Sequence, residues 1–178
     1  MQYDAIIIGA GISGLYQLHC LRQLGLKVRV FESGTGVGGT WYWNRYPGAR
    51  FDSESYSYGY SFSQELLDEW HWTEHFSPQP ETLKYLNYVA DKFDLRRDIR
   101  LNTRVTAAHF EVGSNRWVIE TRGGARTFAH YLVTAVGCLS ARKNPADEFK
   151  GLDDFQVLGT SPPRGPKRAS TSLVSGWG

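Results

Sequence analysis

The sequence predicts an α/β fold in which a parallel sheet, with helices on both faces, carries a small antiparallel β-meander. Three patterns predict it. A glycine-rich motif lies between an apolar run and a helical pattern within residues 5–24. A second apolar run ends on an acid within residues 28–32, and short alternating segments follow within residues 99–130. The order strand, G-x-G-x-x-G, helix, strand and acid is typical of a Rossmann-like unit that binds a dinucleotide.

The glycines of the first motif each have a physical role in such a unit. Gly9 lets the chain turn sharply off the first strand, and Gly11, which has no Cβ, lets a pyrophosphate approach the backbone. Gly14 lets the helix pack closely against the sheet. The leucines that follow, three residues apart, predict a helix whose amino end presents free N–H groups to the pyrophosphate.

The acid and a second glycine cluster indicate which dinucleotide binds. Glu32 lies 18 residues after Gly14, where its carboxylate can accept hydrogen bonds from ribose hydroxyls and would repel the 2′-phosphate of NADP. Residues 33–39 include four glycines, which exclude a helix or a strand interior and predict a loop close to a ligand. This second loop favours FAD over NAD, because NAD dehydrogenases do not require it.

Periodicity further along the chain predicts one long helix and several strands. Residues 80–93 have helical spacing of apolar side chains, and Pro80 and Glu81 suit a first turn. Residues 131–136 predict a fully buried parallel strand that ends at Gly137. The alternating strands are expected near residues 99–107, 109–112, 117–121 and 127–130.

The composition is that of a globular chain. The 178 residues suffice for one domain with a core, 41% are hydrophobic, and the net charge of +2 indicates no particular partner. The two cysteines are too few for a disulfide framework, and no signal peptide is recognisable. The small number of cysteines, together with the cofactor motif, predicts a location in the reducing cytoplasm. No apolar run approaches the roughly 20 residues that span a membrane, so no membrane segment is expected.

Two local patterns are assigned no ligand. Aromatic residues and arginines alternate over residues 41–56, but acids accompany them, so no nucleic acid is expected as a partner. His71 and His75 are one helical turn apart, yet Trp72 and Thr73 lie between them and no cysteine is near. A surface helix is therefore expected there, and no metal site.

The segment that follows the second glycine loop resembles a known family. Residues 38–50, G-G-T-W-Y-W-N-R-Y-P-G-A-R, and then Asp52 are similar to the flavin-binding half of Baeyer–Villiger monooxygenases, the phenylacetone and cyclohexanone monooxygenase-like flavoproteins. The likeness continues through residues 79–81, 85–96 and 134–137. It covers roughly residues 1–156, which the resemblance implies are an incomplete FAD-binding domain.

The resemblance implies a reaction and its cofactors. In this family NADPH reduces FAD, and the reduced flavin uses O2 to insert oxygen into a small-molecule ketone, giving an ester or a lactone. Two alternatives remain: a flavin monooxygenase that oxygenates nitrogen or sulfur, against which residues 41–52 argue, and a FAD-binding module without catalytic activity.

The resemblance also assigns roles to individual positions. Arg50 and Asp52 would face the nicotinamide of NADP, and Asp52 is the expected catalytic residue, because its family counterpart supports an arginine near the flavin. Val105 would meet the adenine through its backbone. The remaining cofactor-binding positions are expected to hold the pyrophosphate, the ribose or the flavin: Gly9, Gly11, Ser13, Gly14, Glu32, Gly39, Thr40, Trp41, Tyr42, Trp43 and Tyr58.

The likeness ends after Gln156. The family continues with F-x-G-x-x-x-H-x-x-x-W-P, but Val157, Ser161 and Gly165 stand where glycine, histidine and tryptophan are expected. Residues 157–178 are predicted to be unstructured, and a shifted reading frame over their end can encode D-F-T-G-K-R-V-G, typical of the family's next domain. A frameshift, or a natural short carboxyl terminus, is therefore expected, and the 178 residues alone are expected not to oxygenate ketones.

Overall fold

The computed structural model describes residues 2–140, so the boundary predicted at residue 156 and the predicted tail 157–178 lie outside the described residues. The described strands form one mixed sheet and are β1 (Gln2–Ile8), β2 (Val28–Phe31), β3 (Ile99–Arg100), β4 (Val105–Glu111), β5 (Arg116–Thr121) and β6 (Arg126–Thr134). Their order is β3-β2-β1-β6-β5-β4. The first three strands and β6 run parallel, and β4 and β5 are antiparallel to their neighbours.

The predicted βαβ unit is confirmed. β1 pairs with β2 from Ala5↔Val28 to Ile8↔Phe31, and helix α1 (Ile12–Gln23) connects the two strands. Leu15 and Leu18 of α1 are buried against the strand residues of one sheet face. Burial of a leucine side chain contributes about 1.5–3 kcal/mol, so these contacts hold the helix on the sheet.

The chain between β2 and β3 forms a helical and aromatic layer on the same face. Its helices are α2 (Thr40–Trp43), α3 (Ser55–Tyr58), α4 (Gln64–Glu69) and α5 (Gln79–Lys92), with a 3₁₀ helix at Arg96–Asp98. The predicted long helix is α5, which begins one residue before Pro80. Leu86, Val89 and Ala90, which belong to the apolar face that the helical spacing predicts, join the core of β1 and β2, and so does Tyr85.

The meander packs on the opposite face. Ile6 of β1 and Phe31 of β2 alternate with the residues that contact α1, and they cluster with Ile119 and Ala129. Among residues 2–140, helices therefore cover one face of the parallel strands and the meander covers the other. The predicted Rossmann-like fold with an antiparallel meander is confirmed. The helices predicted on both faces lie on one face of the described sheet, because the meander occupies the other.

The strand boundaries predicted for the last part of the sheet are wrong. Residues 127–130 and 131–136 were expected as two strands, but β6 is continuous because no glycine or proline interrupts it. Its first residues pair with β5 and its last with β1. Tyr131 is 63% exposed rather than fully buried, because β5 ends its pairing with β6 at Trp117↔Ala129.

Residues 99–107 and 109–112 also differ from the prediction, because β3 ends at Arg100 and β4 runs without a break from Val105 to Glu111. Between them Asn102 adopts φ 52° and donates its N–H to the Gly34 carbonyl.

The prediction of a surface helix around His71 and His75 is wrong too. No regular helix forms at residues 70–77. Within residues 2–140, no helix combines the length and the apolar character needed to cross a membrane.

Candidate functional site

The first glycine loop, Gly9–Gly14, lies at the carboxyl ends of the parallel strands. Gly9 donates its N–H to the Phe31 carbonyl at 2.9 Å, and Ala135, after β6, donates to the Ile8 carbonyl at 2.9 Å. Gly9 has φ +104°, and a Cβ there would lie 2.4 Å from the Ala135 oxygen. A side chain therefore cannot occupy this position, and the loop is seated directly on the strand ends.

The amino end of α1 is open for an anion. Gly11 is its N-cap, no side chain caps the helix, and its first turn holds no acid. Ser13 is exposed in that turn. The first N–H groups of a helix lack intrahelical partners and carry partial positive charge, so this end can bind a phosphate group. A Cβ on Gly14 would lie 1.9 Å from the Gly9 oxygen, so the helix packs tightly against the loop.

The second glycine loop, Gly34–Gly39, lies against the first. The Gly38 N–H donates to the Ala10 carbonyl at 2.9 Å, and a Cβ on Gly39 would lie 2.7 Å from the Gly11 Cα. The two loops therefore touch backbone to backbone. We call the two loops together the cradle, a surface on which a ligand can approach the main chain closely.

Glu32 joins the two loops. Its side chain lies at the end of β2 and is only 5% exposed. One carboxylate oxygen accepts the Ala10 N–H at 2.8 Å and the other accepts the Gly34 N–H at 2.7 Å. Oε1 also accepts the Ser33 hydroxyl at 3.3 Å, whereas Oε2 has a further lone pair. The same group can therefore accept a hydrogen bond from a sugar hydroxyl at Oε2 while it holds the loops.

The residues after the second loop divide between the core and the surface. The Trp41 ring is buried, and its Nε1 donates to the Tyr58 hydroxyl at 2.8 Å. Tyr58 stacks on Phe51, with 4.2 Å between the ring centroids, and burial raises the pKa of the Tyr58 hydroxyl. The ring of Trp41 therefore packs in the core, whereas Tyr42 lies beside the second loop and Trp43 is 37% exposed. Thr40, which starts α2, is partly exposed.

Three of the predicted site residues lie farther along. Arg50 is exposed, and its Nη1 lies 3.0 Å from the Glu74 carboxylate and 3.0 Å from the Phe76 carbonyl. Asp52 is exposed on a bend before α3. Among the described residues, Arg50 is thus bonded to Glu74 and Phe76 and not to Asp52. Val105 starts β4, directly after the turn that bonds to the second loop.

The sequence did not reveal three polar residues behind the cradle. Gln79 is 8% exposed, and its Nε2 donates to the Trp41 carbonyl. Tyr60 donates its hydroxyl to the Ile12 carbonyl at 2.6 Å, and its N–H donates to the Tyr85 hydroxyl at 2.7 Å. Burial raises the pKa of Tyr85 to about 12 and that of Tyr60 as well, so both hydroxyls stay protonated. Gln79 appeared in the sequence only within residues 79–81 of the family resemblance, with no role assigned to it.

Other candidate sites offer less chemistry. A cavity of about 490 Å³ lies near the amino ends of β1 and β2 and is lined by Arg22, Arg29 and Lys27. Arg22 donates to carbonyls at the end of α5 and Arg29 donates to the Arg97 carbonyl, so these guanidinium groups already serve the fold. Within the part of the chain that the structure describes, no three His, Cys, Asp or Glu side chains could hold a metal ion.

Comparison with known proteins identifies the relatives of this site. A family model described as an NAD(P)-binding Rossmann-like domain matches residues 7–69. Acetone monooxygenase (methyl acetate-forming) from Gordonia sp. (strain TY-5) is 52% identical over 152 residues, 85% of this chain and 28% of the relative. A Baeyer-Villiger monooxygenase from Pseudooceanicola batsensis is 50% identical over 86% of this chain and 28% of the relative. Phenazine N-monooxygenase PhzNO1 from Lysobacter antibioticus is 48% identical over 86% of this chain and 28% of the relative.

Solved structures agree with these relatives. The structure titled "Oxidized steroid monooxygenase bound to NADP" superposes with a TM-score of 0.80 at 55% identity, over 86% of this chain and 29% of that one. The chain therefore spans less than a third of the length of the relatives that it matches. In sequence and in fold, the chain is therefore similar to the N-terminal part of the flavin-dependent Baeyer–Villiger monooxygenases.

Proposed function

We propose that this chain is the FAD-binding part of a flavin-dependent, NADPH-using monooxygenase that inserts oxygen into ketones to give esters or lactones. One observation carries the proposal: two glycine loops touch at the strand ends, with the Glu32 carboxylate bonded to both. A phosphate-binding helix end beside a ribose-binding acid is the chemistry that a flavin dinucleotide requires. When bound, FAD supplies the redox and oxygen-activating chemistry.

The chain's own residues bind and orient that cofactor in this proposal. The N–H groups of the first turn of α1, with Ser13, hold the pyrophosphate, and Glu32 accepts hydrogen bonds from the ribose. The Val105 backbone contacts the adenine. The flavin is bordered by residues of the second loop and of the segment that follows it: Gly39, Thr40, Trp41, Tyr42, Trp43 and Tyr58. Because the Trp41 ring is buried, Trp41 contributes its backbone.

Arg50 and Asp52 are proposed to serve the nicotinamide of NADP. Both are exposed, so a second dinucleotide can reach them from solvent. The ion pair with Glu74 limits where the Arg50 guanidinium can go. Asp52 is the proposed catalytic residue, and its charge acts on the neighbouring Tyr58 hydroxyl, whose pKa is raised first by burial and then by Asp52. The proposed FAD-binding domain covers residues 1–156, and a cytoplasmic location suits an enzyme that consumes NADPH.

A second candidate reaction is oxygenation of a nitrogen atom. It is favoured by the 48% identity to phenazine N-monooxygenase PhzNO1. Acetone monooxygenase, at 52%, favours the ketone reaction. In either case the cradle binds the cofactor, because residues outside the cradle select the substrate. A FAD-binding module without catalysis is the third candidate for the 178 residues by themselves.

The first test measures which dinucleotide occupies the cradle. The purified 178-residue chain is titrated with FAD while flavin fluorescence is recorded, and NADP is added as a competitor. We expect FAD to bind and NADP to compete poorly, because Glu32 repels a 2′-phosphate. Tight NADP binding without a flavin response would overturn the assignment.

The second test measures catalysis by the same polypeptide. The chain is supplied with FAD, NADPH, O2 and either phenylacetone or cyclohexanone, and the products are analysed for ester or lactone. No product is expected, because the chain spans only about 28% of its relatives. Turnover on the order of 1 per second would show that these 178 residues suffice for the reaction.

A further inference from the structure

Each loop of the cradle is held from behind by one side-chain hydrogen bond, which is buried for the second loop and partly buried for the first. In the second loop's continuation, the Trp41 carbonyl accepts a hydrogen bond from Gln79 Nε2. In the first loop itself, the Ile12 carbonyl accepts one from the Tyr60 hydroxyl at 2.6 Å. The two donors lie 38 and 48 residues away from their acceptors along the chain.

Both hydrogen bonds connect the loops to the same helix, α5. Gln79 is the first residue of α5, and its own N–H donates to the Ala49 carbonyl at 2.8 Å. The Tyr60 N–H donates to the hydroxyl of Tyr85, which lies on α5 and is 2% exposed. α5 therefore bonds to one loop through Gln79 and to the other through the pair formed by Tyr85 and Tyr60.

The backbones of the two loops are in close contact where they meet. A Cβ on Gly39 would lie 2.7 Å from the Gly11 Cα, so no side chain separates the two backbones. A small displacement of either carbonyl would move one loop against the other. The surface offered to a dinucleotide thus depends on where α5 holds each loop.

We propose that Gln79 and Tyr60 are positioning residues for FAD, Gln79 for the part of the cradle under the flavin and Tyr60 for the part under the pyrophosphate. This inference rests on the proposed function, since it takes the cradle to be the FAD site. Neither side chain belongs to the residues proposed to touch the cofactor. They act through the Trp41 and Ile12 carbonyls.

Two variants of nearly unchanged shape separate the two roles. Gln79→Met keeps the length of the side chain and removes its donor, and Tyr60→Phe deletes a single hydroxyl. Gln64→Met and Tyr46→Phe are the matched controls, because Gln64 and Tyr46 are exposed. Each protein is the full 178-residue chain, titrated with FAD and, separately, with ADP, which contains the pyrophosphate and adenosine but no flavin.

The expected pattern is selective. Gln79→Met weakens FAD about tenfold, the equivalent of one hydrogen bond, leaves ADP within about twofold, and alters the visible circular dichroism of bound FAD. Tyr60→Phe weakens FAD and ADP alike. The two controls bind both ligands as the unmodified chain does. A merely structural role of Gln79 would lower stability without separating the two ligands. A merely structural role of Tyr60 would lower the urea midpoint without weakening either ligand in the folded protein.

Other results would contradict the inference. Wild-type affinity for both ligands in Gln79→Met, or equal losses of FAD and ADP there, overturns the role of Gln79. If Gln79→Met fails to fold by far-UV circular dichroism, Tyr60→Phe decides alone: native dichroism with both ligands weakened supports the inference, and unchanged affinities overturn it. If the unmodified chain binds no FAD, the proposed function itself fails. If the unmodified chain binds FAD and neither variant changes that affinity, the positioning roles are wrong but the proposed function is not affected.

Discussion

The two glycine loops of the cradle touch each other, but they are held in different ways. The first is fixed by main chain, because a Cβ on Gly14 would lie 1.9 Å from the backbone oxygen of Gly9. The second is held by main chain where Gly39 meets Gly11, but around Gly36 it packs on a side chain, because a Cβ on Gly36 would meet the Tyr42 ring at 2.9 Å. Main chain at a strand end cannot yield without moving the sheet, whereas an aromatic ring can turn aside. The first loop should therefore be rigid, and the second should be adjustable around Gly36.

The largest effect that this comparison predicts comes from Gly14→Ala. The added methyl group meets a backbone oxygen, so α1 must move away from the strand ends. We expect the free energy of unfolding to fall by about 3 kcal/mol, the upper end of the usual cost of overpacking. Urea unfolding followed by circular dichroism measures it. Gly113→Ala is the control, since a Cβ there meets nothing within 4 Å, and equal stability of the two variants would contradict a rigid first loop.

Glu32→Ala should rank next, because it removes the link between the loops. Two buried N–H groups, those of Ala10 and Gly34, lose their acceptor. Stability should fall by about 2 kcal/mol, and FAD binding should weaken by about 1.5–3 kcal/mol as charge-assisted hydrogen bonds are lost. Urea unfolding and FAD titration give the two numbers.

Glu32→Gln sharpens that experiment. Its amide keeps one acceptor oxygen, so it can satisfy only one of the two N–H groups and should lose about half as much stability. Glu111→Ala, which removes an exposed carboxylate, should leave both measurements unchanged. If Glu32→Ala binds FAD as the unmodified chain does, the carboxylate has no role in ribose binding.

The difference in how the two loops are held also explains which parts of the site could be predicted from the sequence. The first loop and Glu32 belong to one βαβ unit whose contacts are close in sequence, so spacing alone located them. The second loop was recognised from its glycines, but its fastening by Gln79 was not, because a buried glutamine 38 residues from its acceptor has no local pattern. Tyr60 likewise sits among many aromatic residues without periodicity.

The errors in the fold have a similar cause. The break predicted between residues 130 and 131 separated an alternating segment from an apolar run, which was expected to be a buried parallel strand. In the structure, β6 passes from pairing with β5 to pairing with β1 without a turn. Tertiary contacts determine which strands pair, and the alternation of apolar and polar residues within one strand does not reveal its partners. The exposure of Tyr131 follows from the same change of partner.

Gly36→Ala tests whether the second loop is adjustable. Its Cβ would meet the edge of the Tyr42 ring, and Tyr42 is partly exposed, so the ring can move. The expected loss of stability is below about 1 kcal/mol, the low end of overpacking. Adding Tyr42→Ala should remove the effect of Gly36→Ala, and a double-mutant cycle in urea unfolding measures this coupling. Independent effects of the two substitutions would show that the ring does not hold the loop.

The smallest effect concerns pH, at the junction between α1 and the aromatic layer. The His19 ring stacks on Phe62, with 4.4 Å between centroids, and packs edge-on against Phe93. Burial, and then the charge of Arg22, lower the pKa of His19 below its ordinary value of 6.5. The folded state therefore binds this proton less readily than the unfolded chain does. The stability that depends on neutral His19 is complete above about pH 6.5 and is lost as pH falls toward the lowered value.

The measurement is the urea midpoint at about pH 7.5 and about pH 5.5. The unmodified chain should be less stable at the lower pH, and His19→Gln should lose less stability than it does between the two conditions. His130→Gln, at an exposed position, should behave like the unmodified chain. An identical fall in His19→Gln and in the unmodified chain would show that the contact between α1 and Phe62 carries no proton linkage. The aromatic layer would then hold the first loop's helix by packing alone, as strongly in acid as at neutral pH.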